Sequence, residues 1–290
     1  MQLSASELIL NADKSIYHLN LLPEDIAETI ITVGDPDRVS TVSKFFDSIE
    51  VKKGKREFYT HTGTLNGKRI SVVSTGIGTD NIDIVFNELD ALVNIDFDTR
   101  TVKPNKTVLD IVRIGTSGSV RSDIPIDSFL MSEYAMGFDG LLHFYESDAI
   151  QESDVSDAFV NHMNWSPNKS VPYVVKYDEN LGKKLLSNRI RLGTTVTNIG
   201  FYGPQSRVLR LNLSDADLQE KLASFAYNDV KITNLEMETS GIYGLSKLLG
   251  HRAVSMNCIL ANRANGEFSA NPTESVEELI QYTLEKLTTT

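Results

Sequence analysis

Short apolar runs alternate with amphipathic stretches along most of the chain, and glycine repeatedly marks the join. Ile30-Ile31-Thr32-Val33 stops at Gly34, Ile70 to Thr75 at Gly76, and Val108 to Ile114 at Gly115. Each run is short and rich in β-branched residues, which predicts a buried strand. Leu192 to Val196 and Ala253 to Ala261 predict two more. Between the runs, helical stripes recur. One begins near Asp80, with Ile84, Val85, Leu89, Leu92 and Val93 on one face. A second runs from Glu236 to Leu249, with Gly250 as its stop, and a third from Thr273, the expected N-cap, to Leu287. Tyr59 to Leu65, Asn66-Gly67 and Lys68 to Val73 predict a hairpin, so the sheet is expected to be mixed. Two polar stretches, 94–106 and 147–172, read as long loops. Strands alternating with helices predict an α/β fold with a central mixed β-sheet covered by helices on both faces, three layers in all. No linker or repeat interrupts the pattern, so residues 1–290 are expected to form a single domain.

Composition narrows the function. Apolar residues make up 41% of 290, enough for a core without metal or disulfide support. Acids outnumber bases 39 to 28, for a net charge of −11, which argues against nucleic acid or an anionic membrane as partner. No apolar run approaches the ~20 residues of a membrane span, and no signal peptide is recognisable. The single cysteine, Cys258, lies in an apolar run and reads as a core thiol. These features lead us to expect a cytoplasmic protein.

Ligands of such sheets sit beyond the carboxyl ends of the strands, so the glycine-marked strand ends hold the candidate chemistry. Gly34-Asp35-Pro36-Asp37-Arg38 combines a glycine that lets backbone N–H groups approach an anion, a proline suited to a first helical turn, and an arginine that can reach the same anion. Arg113, at the end of the run Leu109 to Val112, needs an anionic partner: either a bound oxyanion, or an internal carboxylate such as Asp110 or a glutamate. Thr116 and Ser117 add hydroxyls between glycines. Glu236-Met237-Glu238 places two carboxylates around an apolar residue, to accept from sugar hydroxyls or to complement a helix N-terminus. Ser74-Thr75-Gly76-Ile77-Gly78 fails as a dinucleotide loop because position 81 is Asn81. There is no Walker A lysine, nucleophile elbow or metal-spaced His/Cys cluster.

Taken in order, Gly34-Asp35-Pro36-x-Arg38, Ser74-Thr75-Gly76-Ile77-Gly78, Arg113-Ile114-Gly115-Thr116-Ser117-Gly118 and Glu236-Met237-Glu238 resemble the nucleoside phosphorylase family of the hexameric, trimer-of-dimers type. Phe201-Tyr202-Gly203-Pro204-Gln205-Ser206-Arg207 and Ile16-Tyr17-His18-Leu19 are similar to segments of its uridine phosphorylases. The resemblance implies that inorganic phosphate is the co-substrate, held by Gly34, Arg38, Arg113 and Thr116, with Arg56 reaching in from a neighbouring subunit. It gives ribose to Met237, Glu238, Thr116 and Arg113, with the neighbour's His18 at the 5′-hydroxyl. Phe201 would pack on the nucleoside, and Gln205 and Arg207 would bind uracil. Arg113, Gln205 and Arg207 would then carry catalysis, and Glu236 would support the site. The implied reaction is reversible phosphorolysis of uridine, deoxyuridine or thymidine, without an organic cofactor, in a dimer or a larger assembly. The family's monovalent-cation site is matched at Glu57 and Ile77, but its serine is replaced by Asn81.

Three other readings remain at this stage. A purine nucleoside phosphorylase of the same fold would carry an acid after the last strand, where this chain has Leu260-Ala261-Asn262-Arg263. A nucleoside hydrolase would leave the arginines without a purpose. A non-catalytic nucleoside sensor would have no need of the whole motif set.

Overall fold

The computed structural model of the chain describes residues 2–289. Its first half runs β1 (Thr29–Val33), α1 (Pro36–Ser43), β2 (Ser48–Lys55), β3 (Phe58–Leu65), β4 (Lys68–Ser74), α2 (Thr79–Asn94), β5 (Ile95–Asp96), β6 (Thr101–Val102), β7 (Asp110–Ser119) and β8 (Phe129–Gly137). The second half runs α3 (Ser153–Met163), β9 (Tyr173–Lys176), α4 (Glu179–Leu185), β10 (Ile190–Thr197), α5 (Leu218–Ser224), β11 (Ala226–Tyr227), β12 (Val230–Glu236), α6 (Thr239–Leu249), β13 (Arg252–Asn262), β14 (Glu267–Phe268) and α7 (Pro272–Thr288).

All strands except β5 and β6 join one mixed sheet, whose main path is β11-β12-β10-β8-β13-β7-β1-β4-β3-β2. Helices cover both faces, and the side-chain period of two sorts the strands between them. Ile30 and Ile111 pack with Val85, Leu89, Ile242 and Leu245 of α2 and α6. Their neighbours Ile31, Val112 and Ile114 pack with Val39, Val42, Leu181, Leu279 and Ile280 of α1, α4 and α7. The three expected layers follow from this alternation. The hairpin is also present: β3 and β4 pair antiparallel to Leu65↔Lys68, across Asn66 at φ 50° and Gly67 at φ 76°. Both residues need the left-handed region, as a two-residue type I′ turn requires.

The sheet also turns back on itself. β12 pairs with β10 on one side and, antiparallel, with the end of β7 on the other, Leu235 facing Gly118 and Asn234 facing Ser119. That closure brings Glu236, Met237 and Glu238 beside the far end of β7.

Several boundaries differ from the sequence reading. β7 does not stop at Gly115 but continues through the glycines to Ser119, because β13 pairs with it along that whole length. α6 starts at Thr239, since Glu236 is still paired to Thr197 as the last residue of β12. α7 starts at Pro272 with Asn271, not Thr273, in the cap position. The stretch 147–172 is not simply a loop. It contains α3, which buries Val155, Phe159 and Met163 against Leu222, Phe225 and Val196. Those three residues are spaced i, i+4, i+8, a one-sided stripe flanked by acids and amides that is easily taken for a polar loop. The stretch 94–106 carries the β5–β6 ribbon, to which Leu3 is bonded through Arg100.

Candidate active site

A cavity of about 780 Å³ opens where β1, β4, β10 and β12 end. Gly34, Arg38, Arg113, Thr116, Phe201, Gln205, Arg207, Met237 and Glu238 all line it. Residues from four separate segments therefore converge on one space large enough for a small-molecule ligand.

One end gathers features that suit an anion. Asp35 caps α1 by accepting from the Asp37 N–H at 2.9 Å, and Pro36 fills the first helical position. The helix then starts directly after Gly34 and carries Arg38 inward. The β1 ladder on β7 ends at Arg113, so that edge of Gly115–Ser117 has no strand partner before β12 joins at Gly118. The partly buried Arg38 has no carboxylate partner among the described residues. Its only side-chain hydrogen bond there runs from Nη1 to the Ile114 carbonyl at 3.5 Å. Burial and then the charge of Arg113 pull its pKa down. A guanidinium so placed gains from any anion that enters.

Arg113 is arranged differently. It is buried, and Nη2 lies 2.6 Å from Glu238 Oε2 and 3.1 Å from Glu236 Oε2, while Nη1 donates to Asn257 Oδ1 at 3.1 Å. Of its two sequence-level readings, the internal carboxylate is therefore realised, through the glutamates. Asp110 instead pairs with Arg252. Gly115 makes the arrangement feasible, because the guanidinium folds back over the position where a Cβ would stand.

The two glutamates divide the work. Glu236 accepts from the N–H groups of Glu238 (2.9 Å) and Thr239 (3.0 Å) and from the Thr197 hydroxyl (2.7 Å). It thus holds the turn and complements the N-terminus of α6. Glu238 faces the cavity, with Oε1 accepting from the Gly78 N–H at 2.9 Å and Oε2 from Arg113. Burial, and then the negative charge of Glu236, push its carboxyl up against the pull of Arg113.

The opposite end is an aromatic and amide-bearing loop. After β10 the chain makes one 3₁₀ turn, Gly203–Gln205, with Ser206 at φ 58°. Arg207 lies over the Phe201 ring, 3.8 Å from its centroid, and Nη1 donates to the Phe201 carbonyl (2.8 Å) and to Gln205 Oε1 (2.6 Å). Leu235, Met237, Leu260, Ala261 and Phe268 complete apolar walls. Sequence reasoning noted Arg263 only for the absence of an acid beside it. In the fold its guanidinium donates to the carbonyls of Gln205 and Ser206 and fixes the turn. Burial and then Arg207 pull Arg263 down to about 10. Asn262 is turned away, bonded to the Arg121 and Ile124 carbonyls.

His18 and Arg56 do not line this cavity. Arg56, at φ 57°, is exposed in the β2–β3 turn, and no described residue bonds its side chain. Its neighbour Lys55 donates to the Tyr17 carbonyl at 2.5 Å, so the two segments form one bonded patch. Glu57, Ile77 and Asn81 meet at the cavity edge around Gly76. Among the described residues no three or more His, Cys, Asp or Glu residues group as metal ligands. None of the helices there is long and apolar enough to cross a membrane.

Fold and site together define an α/β enzyme whose pocket carries two arginines at one end and an aromatic, amide-bearing loop at the other. Residues 28–289 match the model of the phosphorylase superfamily, and the chain belongs to that family. It is 30% identical over 261 residues to a uridine phosphorylase of Thermococcus kodakarensis, covering 87% of this chain and 79% of that one. It is 24% identical over 251 residues to a DeoD-type purine nucleoside phosphorylase of Bacillus velezensis, covering 86% and 89%. In structure it resembles a Trypanosoma brucei nucleoside phosphorylase that shows uridine phosphorylase activity. That match has a TM-score of 0.87 and 27% identity, and it covers 97% and 99% of the two chains.

Proposed function

We propose that this protein is a uridine phosphorylase that converts uridine and inorganic phosphate to uracil and ribose 1-phosphate, reversibly, with deoxyuridine or thymidine as further substrates. The observation that carries the proposal is Arg38, a partly buried guanidinium without a carboxylate partner among the described residues, facing the same cavity as the Phe201–Arg207 loop. Phosphate sits against Gly34, Arg38, Arg113 and Thr116. Ribose lies on Met237, with its hydroxyls donating to Glu238, which Arg113 holds in place. Uracil packs by Phe201, and Gln205 and Arg207 meet its polar edge.

Cleavage separates charge. The sugar gains oxocarbenium character and the base leaves as an anion. Phosphate on the face opposite the base stabilises the cation and attacks C1′, inverting it. Arg207 and the Gln205 amide stabilise the charge that grows on the uracil oxygens, an effect commonly of ~3–4 kcal/mol per well-placed donor. Gln205 Oε1 has a second lone pair, beyond the one that meets Arg207, for the uracil N3–H. The chemistry calls for no cofactor besides phosphate, and a monovalent cation near Glu57, Ile77 and Asn81 would be structural.

His18 and Arg56 complete a neighbouring protomer's site, so the active unit is at least a dimer, with a hexamer as trimer of dimers the larger form. The bonded patch that joins their segments supports this, since both side chains lie outside their own protomer's cavity. Such an enzyme would work in cytoplasmic pyrimidine nucleoside salvage and catabolism. The test is product analysis with and without phosphate. Phosphate-dependent release of ribose 1-phosphate from uridine is expected. Equal rates in phosphate-free buffer, or preference for adenosine, would overturn the reading.

A further inference from the structure

We propose that Glu88, in the middle of α2, is a positioning residue that orients His18 and sets which nucleosides the site accepts at the 5′ carbon. The inference rests on the reading that His18 reaches the ribose of a neighbouring protomer's site. The Glu88 carboxylate is largely buried and collects every N–H that the His18 segment offers it. The His18 backbone N–H lies 3.0 Å from both of its oxygens and that of Leu19 2.8 Å from Oε2, while His18 Nδ1 is 2.6 Å from Oε1. Two consecutive backbone donors on one carboxylate fix the chain, and the third bond fixes the ring. Edge contacts to Tyr17 (4.8 Å between centroids) and Phe58 (6.4 Å) hold its plane.

A carboxylate only accepts, so Nδ1 donates to Glu88 and Nε2 is the ring nitrogen left to face outward. Nε2 has no hydrogen bond among the described residues, and the His18 side chain keeps 24% of its surface exposed. The group offered outward is therefore a ring nitrogen with a fixed direction. It favours a substrate whose 5′ substituent can hydrogen-bond to it, and it leaves a 5′-deoxy sugar without that partner. Glu88 thereby acts on substrate choice through His18 without touching substrate.

The experiment compares kcat/KM for uridine and for 5′-deoxyuridine in the full-length wild-type, His18→Ala, Glu88→Ala, Glu88→Gln and His18→Ala/Glu88→Ala proteins. The wild type should prefer uridine by about tenfold or more, the scale of one buried hydrogen bond to substrate. His18→Ala and Glu88→Ala should each erase most of that preference, and the double variant should lose no more than either single one. Glu88→Gln keeps an oxygen for the backbone N–H groups. It turns an amide donor toward Nδ1, so it should lower the preference severalfold even where Glu88→Ala fails to fold. A wild-type preference in both Glu88 variants, or equal losses for both nucleosides, would overturn the role of Glu88 alone. A wild-type preference in His18→Ala would overturn the placement of His18 at the ribose, and the proposal with it.

Discussion

Replacing Gly115 by alanine tests whether the geometry around Arg113 is what holds the site together. Arg113 and Gly115 are two residues apart on one strand and so share a face. A Cβ on Gly115 would stand 1.9 Å from Arg113 Nη1, 2.4 Å from Cζ and 2.7 Å from Nη2. All three lie inside van der Waals contact, so the guanidinium must leave its seat. Leaving breaks the contacts to Glu238, Glu236 and Asn257 and strands two buried carboxylates. Separating a buried pair in this way costs about 3–5 kcal/mol. Glu238 also loses the partner that aims it, so KM for uridine should rise about tenfold or more. Gly118→Ala on the same strand is the control, because its Cβ would meet nothing closer than Arg263 Cδ at 3.7 Å. It should cost less than about 1 kcal/mol. Urea unfolding at equal protein concentration, with steady-state kinetics on both variants, decides the matter. The reasoning is refuted if Gly115→Ala is as stable as Gly118→Ala and binds uridine as the wild type does.

Other predictions follow from the same site. Gly34→Ala should fold normally, since its Cβ would meet only the Gly76 carbonyl at 3.5 Å, yet KM for phosphate should rise severalfold; an unchanged KM would remove Gly34 from the anion seat. Arg207→Ala should lower kcat/KM for uridine by about 10²-fold and narrow the discrimination against cytidine, whose 4-amino group faces guanidinium donors in the wild type. Near-wild-type kinetics would misplace the base. Mixing inactive Arg56→Ala with inactive Arg113→Ala subunits should restore activity, because mixed dimers contain one intact shared site, and silence after proven exchange would count against sharing. Burial pushes the Cys258 thiol up to about 12, so iodoacetamide at pH 8 should label it only after unfolding in urea.

Local chemistry alone made much of this protein legible. Ile30 to Val33, Ile70 to Thr75 and Ala253 to Ala261 declare strands because β-branched runs between turn residues fit little else, and Asn66-Gly67 declares its turn through backbone angles that few residues adopt. Gly34, Arg38 and Thr116 could be grouped at the strand ends because each sits in its own short motif, and they line one cavity. What the residues could not declare is who meets whom across the fold. Arg113 lay between two readings, and only the closure of β12 onto β7 brought Glu236 and Glu238 to its guanidinium. β7 runs past its glycines because β13, distant in sequence, supplies a partner for them. α3 hides its three-residue stripe until α5 and β10 give that stripe something to bury against. Arg263 and Glu88 look like ordinary surface charges in sequence. They become a clamp on the Gly203–Gln205 turn and a seat for His18 only because folding places lone carbonyls and N–H groups within reach. A strand or a turn is fixed by the torsions of a few neighbouring residues. These ion pairs and this clamp are fixed by distances between residues 57 or more positions apart, and those distances exist only once the sheet has closed.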